Sequence, residues 1–181
     1  MDNILDAHIA HDNEEAADIA AVRDLIRNHP NCFWRTHFDP GHITGSGLLI
    51  SADGQRVLLN HHKFLDMWIG FGGHADGETD ILSVCRREIV EESGIENIEP
   101  VTTSIVDVSV HPVPPNPKKG EPAHKHFDIR YIFRVRNAAD EDFSLSDESV
   151  SLRWCDYDQA MALVNQNDKI TRLLRKWKNI R

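Results

Sequence analysis

Three glutamates are spaced so that their carboxylates would lie together on one face of a helix. Glu88, Glu91 and Glu92 are three and four residues apart, and at about 100° per residue they share an arc of about 100°. Like charges at this spacing destabilise an isolated helix, whereas a hard divalent cation turns their repulsion into binding. Carboxylate oxygens without a thiolate suit Mg²⁺ or Mn²⁺ better than zinc. The spacing indicates a metal-binding face, although an acidic helix face taken alone is more often a solvated surface.

A glycine-rich loop precedes this helix, and it favours a metal site over a solvated acidic surface. Residues 70–77 contain four glycines, and glycine lets a backbone approach a metal ion or a phosphate closely. Between His74 and Glu99 there are eight acidic and two basic residues, so this stretch carries −6 of the chain's net charge of −9. The excess acid is therefore concentrated where the loop and helix would hold a cation.

The segment GHADGETDILSVCRREIVEESGI, residues 73–95, resembles the signature of the Nudix hydrolases. Eight of the nine defined positions match, namely Gly73, Arg87, Glu88, Ile89, Glu91, Glu92, Gly94 and Ile95. Thr79 stands at the ninth position, where the family has a glutamate that supports the loop and helix through the arginine. We expect Glu78, one residue earlier, to reach Arg87 in its place.

This resemblance implies a fold, a reaction and a set of ligands. The implied fold is of the α/β (α+β) class, an α/β/α sandwich around a mixed β-sheet. The implied reaction is cleavage of a diphosphate linkage in a nucleotide-type small molecule, with Mg²⁺ or Mn²⁺ as cofactor. By position, Glu88, Glu91 and Glu92 would be metal ligands together with the carbonyl of Gly72, and one of the three glutamates could also orient or deprotonate the water. Arg87 would hold a glutamate in place.

A second group of ionisable residues lies in PAHKHFDIRYIF, residues 122–133. A strand would place four of them on one face: His124, His126, Asp128 and Arg130. We expect this face to line a cleft, with Asp128 as an extra ligand or base and Arg130 or His126 as a phosphate contact. An exposed face of solvated charges is an equal alternative. Further candidates for substrate contact are His74 in the loop and Glu148, a rival distal base.

Aromatic residues offer weaker candidates. Trp68, Phe71 and Tyr131 have rings that could stack on a base, but the core is the commoner place for each. Cys85 lies on the apolar stripe of the acidic helix, which indicates packing rather than chemistry.

Hydrophobic periodicity and turn signals predict strands interleaved with helices. Predicted helices are 13–27, 80–93 and two segments after Trp154; predicted strands are a hairpin around Asp53-Gly54, then 101–110, 124–135 and 150–155. Proline-rich residues 111–123 are predicted to be a surface loop. We expect a single domain over residues 1–181, with a helical extension (1–32), a Nudix core (33–165) and a C-terminal helix (166–181).

Composition excludes several classes of protein. An acidic chain of 181 residues lacks the basic footprint of a duplex nucleic-acid binder. Its first residues lack a signal-peptide pattern, and no apolar run is long enough for a membrane span. Its three separated cysteines indicate reduced thiols in the cytoplasm. A homodimer is compatible with the resemblance, and a catalytically silent Nudix domain that senses nucleotides stays open as the alternative function.

Overall fold

The computed structural model describes residues 2–164 and 167–180. These residues contain five α-helices and eight β-strands. The helices are α1 (Asp2–Ala7), α2 (Asn13–Asn28), α3 (Ile81–Ser93), α4 (Tyr157–Leu163) and α5 (Asp168–Ile180). The strands are β1 (Gly41–Ile50), β2 (Val57–His62), β3 (Met67–Ile69), β4 (Phe71–His74), β5 (Ile98–Pro100), β6 (Asp107–Val113), β7 (His124–Val135) and β8 (Ser149–Cys155). Ala138–Asp140 form a 3₁₀ turn.

The acidic helix α3 begins and ends where its flanking residues predict. The side chain of Asp80 accepts a hydrogen bond from the backbone N–H of Ser83 at the N-terminus, which satisfies a donor that the helix leaves free. Gly94 follows the last turn at φ 73°, in the left-handed region that glycine adopts without strain. These caps fix the direction of the helix that carries the three glutamates.

All eight strands belong to one mixed sheet built around β1 and β7. These two strands run parallel, from Gly41 opposite Lys125 to Ile50 opposite Arg134. On its other side β1 pairs antiparallel with β4 and with β2, the latter through the predicted hairpin. The parallel pair brings the beginning of β1 beside the beginning of β7, although about eighty residues separate them in the chain.

Helices cover both faces of this sheet, and the predicted α/β/α sandwich is therefore confirmed. On one face α2 and α3 pack against a core that includes Ile43, Ile129 and Phe133. On the other face α4 and α5 pack against Leu48 and Ile132. Within residues 2–164 and 167–180, each helix is too short or too polar to cross a bilayer.

The strand predicted at 101–110 begins later than expected, at Asp107, and continues to Val113. It thus includes Pro112, which the sequence places in a loop. Among the described residues β6 pairs only with β7, so Pro112 lies on an edge strand, where a missing N–H is tolerated. The predicted boundaries involve residues 1, 165, 166 and 181, which lie outside the described residues.

Buried charges connect α2, β6, β7 and α5. Asp107 is fully buried and forms ion pairs with Arg130, Arg172 and Lys176 at 3.3, 2.8 and 2.8 Å. Lys176 also contacts the buried carboxylate of Glu15 at 2.6 Å. Because a buried charge is costly without its partner, this network fixes how the N- and C-terminal helices sit on the sheet.

Candidate active site

Glu92 is the most constrained of the three helix glutamates. Its side chain is buried, and both carboxylate oxygens accept hydrogen bonds of 2.9 Å. Oε1 accepts from the backbone N–H of Gly72 in β4, and Oε2 accepts from the side-chain amide of Asn60 in β2. These bonds tie the end of α3 to two strands, so the carboxylate has a single orientation. The sequence does not predict Asn60 as a site residue, because its role depends on the packing of β2 against α3.

Glu88 and Arg87 form the second fixed pair of the site. Arg87 donates to Glu88 Oε1 at 2.6 Å and to the backbone carbonyl of His74 at 2.8 Å. Its guanidinium also lies 4.0 Å from a carboxylate oxygen of the exposed Glu91. Arg87 therefore joins the loop to the helix and holds Glu88, which is the geometry that its predicted role requires.

Gly73 passes directly beside the carboxylate of Glu88. A Cβ atom at this position would overlap the carboxylate group. The absence of a side chain therefore lets the backbone of β4 and the glutamate share one small space. Such close approach of a backbone to acidic oxygens suits a site for a hard cation.

The carboxylates repel one another in the protein without a cation. Burial raises the pKa of Glu92 to about 7, and although the Gly72 hydrogen bond opposes the rise, the charges of Glu88 and Glu148 add to it. Burial also raises the pKa of Glu88, against the effect of Arg87. Ionising both buried carboxylates is therefore costly in the protein alone, and a divalent cation beside them would favour the charged forms.

The expectation that Glu78 replaces the missing box glutamate is wrong. Glu78 Oε1 accepts from the backbone N–H of Asp80 at 2.8 Å, whereas Arg87 uses the partners described above. Residues 33–35 support the loop instead, as Arg35 pairs with Asp76 through both oxygens and the Phe33 carbonyl accepts from the N–H of Gly77 at 2.9 Å. The sequence gives only a weak signal for these contacts, since residues 33–35 lie about forty residues from the loop.

Asp128 and Arg130 share a sheet face as predicted, but that face is not solvated there. The two residues are 4% and 5% exposed, so the alternative of an exposed charged face is wrong. Arg130 donates to Asp128 at 2.7 Å, and Asp128 also accepts from the hydroxyls of Thr44 and Ser46 at 2.9 and 2.6 Å. Both oxygens of Asp128 are therefore engaged, which favours a role in positioning β1 and β7.

His74 and His126 belong to a cluster of five imidazole rings. We call this group the histidine cluster; its members are His42, His74, His111, His124 and His126. Ring centroids of neighbours lie 4.9–5.5 Å apart. His42 lies opposite His126 in the parallel β1–β7 register. The sequence does not predict His42 as a site residue, because it does not show this pairing.

Glu148 lies at the exposed side of the site. Its carboxylate is 3.8 Å from His62 Nε2, and its backbone carbonyl accepts from the N–H of Lys63 at 2.8 Å. Its charge adds to the rise in the pKa of Glu92, and the Glu148 side chain itself is exposed.

The aromatic candidates divide by burial. Phe71 and Cys85 are buried in the core, and Tyr131 is 2% exposed at the wall of a cavity that Leu82 and Ile105 also line. Trp68 is partly exposed and stacks on the ring of His61 with centroids 5.1 Å apart.

Comparisons with known proteins bear on the family and the fold of this chain. The family model described as NUDIX domain matches residues 41–175. The chain is similar in fold to the C. elegans Ap4A hydrolase in a binary complex, with a TM-score of 0.58 and 18% identity over 76% of this chain and 95% of that one. It is also similar to the E. coli dihydroneopterin triphosphate pyrophosphohydrolase, with a TM-score of 0.54 and 14% identity over 76% and 95% of the two chains. None of the curated proteins matches the sequence.

The family match covers most of the chain, including the loop, the acidic helix and the strands that hold them. At these identities the solved structures bear on the fold alone. Taken with the box residues, the match identifies this chain as a member of the Nudix hydrolase family, a hydrolase of diphosphate linkages.

Proposed function

We propose that this protein is a divalent-metal-dependent pyrophosphohydrolase that uses water to cleave a diphosphate linkage in a nucleotide-type small molecule. The observation that carries the proposal is the way in which Glu88 and Glu92 are held against the backbone of β4. Gly72 donates to Glu92, and Gly73 leaves room for Glu88. A merely solvated acidic helix face would have no need of these contacts.

The residues present fit a hard cation. Glu88, Glu91 and Glu92 supply carboxylate oxygens and Gly72 supplies a carbonyl, the donor types that Mg²⁺ and Mn²⁺ prefer. When bound, such a cation neutralises diphosphate oxygens and lowers the pKa of water. We assign the ligand set to these four residues, with Mg²⁺ or Mn²⁺ as the cofactor.

Other residues of the chain position this set and accept the proton. Arg87 fixes Glu88 and the loop, and Asn60 fixes Glu92. We assign to Glu148 the removal of the proton from the attacking water, because it is exposed and its charge acts on Glu92. The attacking oxygen forms a bond to phosphorus, the bridging P–O bond breaks, and the leaving phosphate departs with the electron pair.

The substrate class follows from the family. Two proteins of similar fold are named for Ap4A and for dihydroneopterin triphosphate, which both contain phosphoanhydride linkages. We propose a phosphoanhydride substrate of the same general kind. The free, buried cysteines support work in a reducing compartment such as the cytoplasm.

The test is a hydrolysis assay over a panel of nucleoside triphosphates, dinucleoside polyphosphates, nucleotide sugars and ADP-ribose, with Mg²⁺ or Mn²⁺ and with chelator. We expect metal-dependent release of phosphate, pyrophosphate or nucleotide from at least one class. The double variant Glu91→Gln/Glu92→Gln should lose activity by on the order of 10³-fold. Glu96→Gln is the matched control, because Glu96 is exposed and its side chain is not part of the set.

The role of Glu148 is tested separately from the ligand set. Glu148→Gln should lower kcat and alter its pH profile while leaving Mg²⁺ affinity unchanged, and Asp147→Asn, the exposed neighbour, should do neither. Tight nucleotide binding without turnover of any compound in the panel would contradict the proposal and favour a sensor. A double glutamine variant with activity within a few-fold of wild type would overturn the ligand assignment.

A further inference from the structure

The histidine cluster contains three imidazoles arranged as a set of metal ligands. Among the described residues, His42, His124 and His126 each offer a ring nitrogen, and these atoms all lie within 4.8 Å of one another. We propose that the three residues bind a transition-metal ion of the zinc type at the point where β1 and β7 begin. This site is distinct from the carboxylate set in its residues and in the metal that it selects.

Hydrogen bonds orient two of the rings for this purpose. His42 Nδ1 lies 3.1 Å from the carbonyl oxygen of His37, and His124 Nδ1 lies 2.8 Å from the carbonyl oxygen of Pro122. A carbonyl oxygen only accepts, so Nδ1 is the protonated nitrogen in both rings and Nε2 has the free lone pair. A metal-binding histidine usually donates its other ring N–H to a carbonyl or carboxylate oxygen, which fixes the ring.

The free nitrogen of His42 is the second observation that points to a ligand. His42 is only 1% exposed, and within the part of the chain that the structure describes its Nε2 atom is buried without a hydrogen-bond partner. An unsatisfied buried polar atom costs about 1–3 kcal/mol, and native proteins rarely leave one without a reason. A metal ion between the rings would satisfy it.

The spacing of the nitrogens is compatible with such an ion after a small adjustment. Zn–N bonds of about 2.0–2.1 Å in tetrahedral geometry put ligand nitrogens about 3.3 Å apart. The three nitrogens lie within 4.8 Å of one another, so a bound ion would draw them closer together. The ring of His74 lies 5.1 Å from that of His42 and 5.3 Å from that of His126, so it borders the three proposed ligands.

Charge and ligand type both favour a borderline metal. Burial lowers the pKa of His42, and burial together with the neighbouring imidazoles lowers the pKa of His126 to about 3. Both rings are thus neutral near pH 7, as metal binding requires. Neutral imidazole suits zinc, cobalt and nickel, whereas the carboxylates of α3 suit Mg²⁺.

The site would join two distant parts of the chain. His42 comes from β1, whereas His124 and His126 come from the start of β7, directly after the proline-rich loop. His74 belongs to β4, whose glycines contact Glu88 and Glu92. The ion would therefore brace the strands that support the carboxylate set, without taking part in the hydrolysis.

The experiment uses the full chain, freed of metals and then saturated with Mg²⁺ so that the carboxylate set is occupied. Titration with Co²⁺, followed by its visible d–d absorption, and displacement by Zn²⁺ should reveal one site per chain. Zn²⁺ should also raise the Tm, because it binds only the folded protein. The double variant Glu91→Gln/Glu92→Gln should still bind Co²⁺ and Zn²⁺ at the three histidines. Failure of the histidine-site proposal can therefore be distinguished from failure of the proposed hydrolase function.

Substitution tests the ligands. His124→Gln and His126→Gln should each weaken Co²⁺ and Zn²⁺ binding by on the order of 100-fold, whereas the exposed His11→Gln should not. X-ray absorption of the zinc-loaded wild-type chain should show imidazole scattering. This measurement uses the wild-type protein, so it does not depend on whether a histidine variant folds. Zinc bound through oxygen ligands, or binding unchanged in both histidine variants, would overturn the proposal, and so would the absence of a Co²⁺ site.

Discussion

The side-chain amide of Asn60 donates a hydrogen bond of 2.9 Å to Oε2 of Glu92. The bond crosses from the second strand of the sheet to the last turn of the acidic helix. Together with the N–H of Gly72 on the opposite oxygen, it sets the direction in which a proposed metal ligand points. A residue outside the family signature thus orients a residue within it.

Replacement of Asn60 tests this orientation. Asn60→Ala leaves one oxygen of a buried carboxylate without its donor, so we expect activity to fall by about 10–100-fold. The free energy of unfolding should decrease by about 1–3 kcal/mol. Asn97→Ala is the control, since Asn97 makes an exposed hydrogen bond to Asp140. Equal activity in the two variants would show that Asn60 does not position Glu92.

Gly73 should be intolerant of a single added methyl group. Gly73→Ala brings a Cβ atom into the space of the Glu88 carboxylate, so the glutamate must move and Mg²⁺-dependent activity should fall by about 100-fold. A double-mutant cycle with Glu88→Gln checks the cause, because residues in contact are not additive. If the displaced glutamate is the reason, alanine at position 73 should cost little in the Glu88→Gln background. Additive losses would point to a different cause.

The buried arginine between Asp107 and Asp128 should matter for stability. Arg130→Met leaves Asp128 without a cation, and we expect a loss of about 3–5 kcal/mol in the free energy of unfolding. Arg136→Met is the matched control, because Arg136 pairs with Glu99 at 3.0 Å with both side chains exposed. The control should lose less than about 1 kcal/mol. Urea denaturation of both variants measures the difference, and similar midpoints would contradict a structural role for the network.

Glu15 should make stability depend on pH in the acid range. Burial alone would raise its pKa, but hydrogen bonds from His8 and Lys176 outweigh burial and lower the pKa well below its ordinary value of 4.5. A depressed folded-state pKa stabilises the protein fully above 4.5, and this stabilisation is lost as pH falls towards the folded value. The advantage of wild type over Glu15→Gln should therefore shrink by up to about 1.4 kcal/mol per pH unit below 4.5.

Urea midpoints of wild type and Glu15→Gln at several pH values measure this effect. Asp24→Asn is the control, because Asp24 is an exposed residue of the same helix whose side chain accepts a hydrogen bond from the exposed Asn28. The difference between wild type and this control should stay small at every pH. A constant advantage over Glu15→Gln from neutral to acid pH would contradict the assignment.

Local signals predicted much of the fold. The cap at Asp80 and the glycine at 94 bound α3, and β7 spans the predicted residues 124–135. The caps of α3 and the strand pattern of β7 are both recognisable within a few residues, which a sequence displays directly. The strand predicted at 101–110 was misplaced, because the register of β6 is set by its pairing with β7 rather than by its own composition.

The candidate site divides in the same way. The spacing of Glu88, Glu91 and Glu92 is a helical property, so the chain by itself determined that three carboxylates share one face and that a glycine loop precedes them. Only the tertiary structure decided that Asn60 holds Glu92, that Arg35 rather than Glu78 secures the loop, and that His42 meets His126. Each of these contacts joins residues more than thirty positions apart, and long-range packing selects such pairs by shape and burial, which no local pattern encodes.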